Sequence, residues 1–250
     1  GERFFGCDRL ILKWFHEDPT YCREIYSYDL FHRFGVWSAP YASYCRLSVY
    51  VQGDREPVDM GVYAMIENPR KGYLDDRMKA GYLPDKQGNL WKAAWGADLS
   101  NTDIGRMGIS DDYGTTNYAY NLKSNKSALA QAQQELVDFI NGMTPLISGS
   151  AELQAWFEKN MDVDLFLRAY AVNVMVGMWD DYWNNQNNYF FYFDSNHRFY
   201  FIPFDYDNAL GTSSAYNPGT QDMLNWGPLD GSRMLMRKVM SISAFKERYK

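Results

Sequence analysis

Residues 179–211 read WDDYWNNQNNYFFYFDSNHRFYFIPFDYDNALG. Two aromatic-rich runs, Tyr189–Phe193 and Arg198–Phe204, flank Asp194-Ser195-Asn196-His197, the pattern of an antiparallel hairpin. Acids and amides bracket it: Asp180, Asp181, Asn187 and Asn188 precede it, and Asp205, Asp207 and Asn208 follow. Residues two apart in an extended chain point the same way, so Asp205 and Asp207 are expected to share a face. Upstream, Asp162 reads as the N-cap of a helix reaching Met178, with Val163, Phe166, Ala169, Tyr170 and Val176 on its apolar side. That helix is expected to present Asp180 and Asp181 at its C-terminal end, where the macrodipole opposes negative charge.

Further out, Ala128–Ile140 and Glu152–Asn160 also read as helices, whereas glycine-rich residues 68–126 read as loops with a few short strands. Near the start, Asp18-Pro19 suits the opening of a helix that closes at Gly35. Cys45, Leu47, Val49 and Val51 alternate as a strand, Gly53–Pro57 turns, and Gly61–Glu67 returns. The expected class is therefore α+β: a strand-rich part over residues 1–68, then a mostly helical part over 69–250 carrying the aromatic hairpin.

Composition narrows the function. Of the 250 residues, 25 are Lys or Arg and 31 are Asp or Glu, a net charge of −6. That balance argues against a nucleic-acid partner held by a basic face, while leaving room for a local basic patch. No run of 18 apolar residues occurs, so no transmembrane helix is expected. Cys7, Cys22, Cys45, His16, His32 and His197 lack metal-ligand spacing, which argues against a zinc site. The first residue is Gly1, and the chain is expected to be a piece of a longer protein.

If Asp180, Asp205 and Asp207 converge, their repulsion needs a cation, a proton or distance. Two carboxylates about 4 Å apart repel by about 4 kcal/mol at an effective dielectric of 20. Oxygen ligands beside amides suit Mg²⁺. Paired acids also suit glycoside hydrolysis, with aromatic rings under the sugar. A third reading makes them turn and capping residues. Spacing alone leaves these open.

The run from Val163 to Gly211 resembles the spore coat protein H (CotH) kinase family. Ile202-Pro203-Phe204-Asp205-Tyr206-Asp207 with Gly211 is similar to the family's I-P-W-D-x-D-x-x-x-G motif, and Val163-Asp164-Leu165-Phe166 through Asn173 to its V-D-x-F helix. Trp179-Asp180 and Asn188-Tyr189-Phe190 match the Asp that ends that helix and the Asn before paired aromatics. Gly61–Glu67 resembles the G-x-Y-x-x-x-E strand, Gly88–Ala93 the G-N-L-Y-K-A box, and Pro19–Gly35 with Arg23-Glu24 the early helix.

This resemblance implies a two-lobed atypical protein-kinase-like fold and Mg²⁺-dependent phosphoryl transfer from ATP to a Ser or Thr hydroxyl of a protein. It assigns Asp180 to the acceptor hydroxyl, with Asp181 as its rival, and Asn188, Asp205 and Asp207 to the metal. Glu67 would lie near the nucleotide and Lys92 at a phosphate or nucleotide contact. The protein substrate would be of a surface or coat type and the location extracytoplasmic. The lysines that cover the phosphates are expected upstream of Gly1. A non-catalytic adhesion module on the same fold is the alternative.

Overall fold

The computed structural model describes residues 9–16, 18–110, 118–212, 222–224 and 233–250. Cys7 lies outside them, while Cys22 and Cys45 are free thiols. The first sheet holds three antiparallel strands in the order β1-β3-β2: β1 (Leu10–Lys13), β2 (Ala42–Val49) and β3 (Val58–Glu67). Helix α1 (Arg23–Arg33) lies between β1 and β2 in the chain. It starts later than Asp18-Pro19 implied, because Tyr21 takes a left-handed φ of 53° that no helix continues. The Asp18 carboxylate nonetheless accepts the amide N–H of Cys22 at 3.1 Å and of Arg23 at 3.0 Å, serving the helix start from outside.

The described residues of 68–126 add a helix to the short strands expected there. They form α2 (Lys71–Lys79), β4 (Asn89–Ala93), β5 (Met107–Gly108) and β6 (Tyr120–Leu122). Tertiary contacts hold α2: the Tyr73 hydroxyl donates to Ser38 O at 2.7 Å, and buried Arg77 pairs with buried Glu67 at 2.7 Å. Strand β4 becomes the centre of a five-stranded sheet, β5-β6-β4-β7-β8, whose last two strands are the hairpin β7 (Tyr189–Phe193) and β8 (Phe199–Pro203). The hairpin's aromatics need a partner strand, and β4, one of the short strands expected over 68–126, pairs along all of β7.

All ten hairpin strand residues are buried, with Tyr189 stacked on Phe201 at 5.3 Å and Phe191 on Phe199 at 5.4 Å between centroids. Helices α3 (Leu129–Met143), α4 (Ala151–Asn160) and α5 (Val163–Val176) follow the expected spans closely. Helix α5 packs on β8 and is capped as read: Asp162 accepts Leu165 N–H at 3.0 Å, and Gly177 ends it at φ 60°. Three short helices complete the described residues: α6 (Tyr182–Asn185), α7 (Met234–Met240) and α8 (Ser243–Tyr249). The Ser38 hydroxyl donates to Phe201 O at 2.7 Å, so the segment bonded to α2 is also tied to β8.

Gly88 precedes β4 at a point of close backbone approach. A Cβ there would stand 1.8 Å from Phe193 O, a backbone atom of the neighbouring β7. Gly88→Ala is expected to cost about 3 kcal/mol, the upper range for overpacking, as measured by urea unfolding. Gly81→Ala, where a Cβ meets nothing within 4 Å, carries only the strain of its φ of 80° and should cost less. Equal losses would refute the packing argument.

Candidate functional site

Lys13, the last residue of β1, sends its ammonium into three carboxylates. It meets Glu24 Oε2 at 2.8 Å, Asp207 Oδ2 at 3.0 Å and Asp205 Oδ1. Glu24 sits in the first turn of α1, and the two aspartates belong to the turn that follows β8. One oxygen each from Glu24, Asp205 and Asp207 lies within 4.8 Å of the others. The aspartates do converge, but not by extended-strand alternation. Asp205 takes a left-handed φ of 66° and residues 206–208 form a single tight turn, which folds Asp207 back beside it.

Buried hydrogen bonds fix this turn. Asp205 N–H donates to the Tyr28 hydroxyl at 2.9 Å, and Tyr206 N–H to Glu24 Oε1 at 3.2 Å. The Tyr206 hydroxyl donates to Asn173 Oδ1 at 2.8 Å, and Asn173 Nδ2 donates in turn to Asp181 Oδ2. Asp181 Oδ1 accepts Asn184 N–H at 2.7 Å, making Asp181 the N-cap of α6. Helix α5 stops at Val176, so the acids do not burden its C-terminal end; Asp181 meets the favourable end of the next helix.

Asp180, half-buried, points elsewhere. Its Oδ1 accepts from Asn185 Nδ2 at 2.7 Å and its Oδ2 from Asn188 Nδ2 at 2.9 Å. Through Asn188 it is held at the start of β7, whose Tyr189 pairs with Pro203, two residues before Asp205. Lys92 on β4 is half-buried, with its ammonium 5.6 Å from the Phe204 ring centroid. Glu67 stands apart from these residues. Its carboxylate takes both terminal nitrogens of Arg77, at 2.7 and 3.2 Å, and Tyr41 N–H at 3.1 Å, which holds β3 to α2 and the loop before β2.

The sequence reading assigned no role to Lys13 or Glu24, and expected the phosphate-covering lysines upstream of the chain. Lys13 already occupies the acidic cluster. The available signal was an apolar run ending in lysine, Leu10-Ile11-Leu12-Lys13, followed by a glutamate opening a helix. Four residues of strand are too short a pattern to stand out.

Electrostatics follow from one ammonium facing three carboxylates. Burial alone would lower the Lys13 pKa, but the three acids override it and keep the ammonium charged. Burial, helped by Asp205 and Asp207, pushes Glu24 up to about 7 against the pull of Lys13. Asp207 is raised by burial and by Asp205. Burial likewise pushes Asp181 up to about 7, against the hydrogen bonds it accepts from Asn184 and Asn173. For Lys92, burial lowers the pKa while Asp205 opposes.

A carboxyl with a raised folded pKa binds its proton more tightly folded than unfolded, so its share of stability is complete at low pH and lost as pH rises to the folded value. For Asp181 that window runs from about 4 to about 7. Urea midpoints at pH 5, 6, 7 and 8 should show Asp181→Asn gaining on the wild type across this range. A difference independent of pH would contradict the burial of an ionisable Asp181.

A family model described as CotH kinase protein matches this chain over residues 1–250. Invasin CotH3 of Rhizopus delemar is 28% identical over 211 residues, covering 83% of this chain and 32% of that protein. Invasin CotH2 of the same organism is 28% identical over 212 residues, covering 81% and 32%. Spore coat protein homolog 1, also from Rhizopus delemar, is 24% identical over 205 residues, covering 81% and 30%. The match thus spans about a third of the length of each of these relatives. By the match over its whole length, the chain belongs to the CotH family.

Proposed function

We propose that this domain transfers a phosphoryl group from ATP to a Ser or Thr hydroxyl of a protein, with Mg²⁺. The observation that carries the reading is Lys13 on β1, bridging Glu24 of α1 to Asp205 and Asp207. A strand lysine held by a helix glutamate beside a metal-binding aspartate is the working arrangement of protein kinases. The exposure gradient supports a division of labour. The Glu24 side chain is 6% exposed, whereas those of Asp205 and Asp207 are 31% and 41% exposed. A ligand entering from solvent meets the aspartates first, and Glu24 stays behind as the residue that positions Lys13.

The all-oxygen donors of Asp205 and Asp207, with the amide oxygen of Asn188 available because its nitrogen serves Asp180, suit a hard divalent cation. When bound, that ion neutralises the phosphate charge. Lys13 supplies a second positive charge to the phosphates, with Lys92 nearby. Asp180 accepts the proton of the acceptor hydroxyl. Glu67, committed to Arg77, shapes the β3–α2 connection near the nucleotide rather than contacting the metal. An extracytoplasmic location and a surface or coat protein acceptor belong to the same proposal, in keeping with the names of the relatives.

Two of those relatives are named invasins, which favours as second reading an adhesion module without catalysis. Glycoside hydrolysis has no such support, because an ammonium seated between the two aspartates leaves no room for a glycosidic bond between them.

In the intact protein, ATP with Mg²⁺ should raise the melting temperature, and Asp205→Asn and Lys13→Met should each abolish that rise while the protein remains folded by circular dichroism. Absence of any ATP effect in the wild type favours the adhesion reading. Asp180→Asn should keep the thermal shift and lower phosphoryl transfer about 10²-fold, as loss of a general base does. Full activity in Asp180→Asn would remove Asp180 from the acceptor role.

A further inference from the structure

A cavity of about 380 Å³ opens between α3, α4 and the turn of the aromatic hairpin. It lies at the far end of the hairpin from the acidic cluster. At a strand rise of about 3.3 Å per residue, Phe193 stands about 13 Å along β7 from Tyr189, the residue after Asn188. Phe139, Trp156 and Phe193 form its apolar wall, with Phe139 5.2 Å from Trp156 and 5.3 Å from Phe193 between ring centroids. The Trp156 ring is seated against Gly142, where an added Cβ would come within 2.9 Å of it.

Two carboxylates line this wall, and His197 stands beside one of them. Glu135 and Asp138 line the cavity one helical turn apart on α3, and among the described residues no lysine or arginine joins them. The Glu135 side chain is 8% exposed and held in place by Asn89 Nδ2 at 2.7 Å and His197 Nδ1 at 2.5 Å. Asp138 is exposed and oriented by Gln134 Nε2 at 2.8 Å. Aromatic rings beside oriented carboxylates are complementary to a flat, weakly hydrated cation: the rings attract its face and the carboxylates its N–H edge.

We propose that this cavity receives the guanidinium of an arginine side chain from a segment of a protein partner. Charge complementarity selects the occupant: the exposed Asp138 carboxylate beside the rings matches a guanidinium, which offers a flat face to the rings and N–H groups to the carboxylate. The site is independent of the phosphoryl-transfer reading and is read by binding alone.

The test titrates the intact protein with acetyl-Ala-Arg-Ala-amide, with the same peptide carrying citrulline, and with a neutral glucose oligosaccharide. Affinity is measured calorimetrically, and the Trp156 indole N–H resonance, assigned through Trp156→Phe, reports the site. The arginine peptide should shift that resonance at millimolar concentration, and citrulline, equal in shape but uncharged, should bind at least about tenfold more weakly. Asp138→Lys, at an exposed position that does not endanger folding, should weaken the arginine peptide by a similar factor. Equal affinity for arginine and citrulline, unchanged affinity in Asp138→Lys, no shift at millimolar peptide, or a shift with the oligosaccharide alone would each overturn the proposal.

Discussion

The Lys13 ammonium among Glu24, Asp205 and Asp207 is the contact on which the arrangement turns. Two unit charges about 4 Å apart interact by about 4 kcal/mol at an effective dielectric of 20, so three clustered carboxylates without a cation would drive their segments apart. One ammonium cannot neutralise three acids. Burial first, and then the neighbouring acids, raise Glu24 and Asp207 above their ordinary values, against the pull of Lys13. Because the participants come from β1, α1 and the turn after β8, the charges proposed to serve a polyphosphate ligand also join the first sheet to the second.

Behind the cluster lies a second layer of polar groups, which two buried tyrosines complete. Tyr28 and Tyr206 are fully buried rings whose hydroxyls act inside the core: one receives Asp205 N–H, the other reaches Asn173. Each supplies apolar area and satisfies a buried polar atom. Asn173 passes the connection to Asp181, and Asp181 caps α6. The loop carrying Asp180 and the turn carrying Asp205 are therefore set by one continuous hydrogen-bonded path. Asp181, the rival for the catalytic assignment, is used up by that path: both of its oxygens are committed and it is 1% exposed.

The hairpin was legible because its strand positions, five on each side of an unambiguous turn, are dominated by aromatic residues, and α5 because its cap and period agree. Asp205 and Asp207 were legible as acids at the hairpin exit, though by the wrong geometry. Left-handed backbone at a non-glycine residue leaves no composition signal, so the tight turn that folds them together could not be read. Helix α2 carries Gly72 and two aspartates within nine residues, and forms because Arg77 and Tyr73 find buried partners far away in the chain. Lys13 escaped for a related reason. Its meaning lies in a pairing with residues nearly two hundred positions downstream, and only the sheet register, Lys13 opposite Ala64, places it there.

The same strained backbone marks both ends of the hairpin. Asn188 enters β7 at φ 53° and Asp205 leaves β8 at φ 66°, and the antiparallel pairing of Tyr189 with Pro203 sets these ends side by side. A left-handed non-glycine residue costs on the order of 1–3 kcal/mol, which persists only where surrounding structure over-determines it. Here a fully buried sheet fixes the strands, the Tyr28 hydroxyl fixes the amide of Asp205, and Asp180 fixes the amide of Asn188. Two of the left-handed residues thus fall at the open end of the hairpin, on the pair proposed to hold the metal, and the buried aromatic strands between them hold that backbone in place. Such preorganisation is what charge-stabilising chemistry requires, since donors that need not reorganise during reaction are worth most.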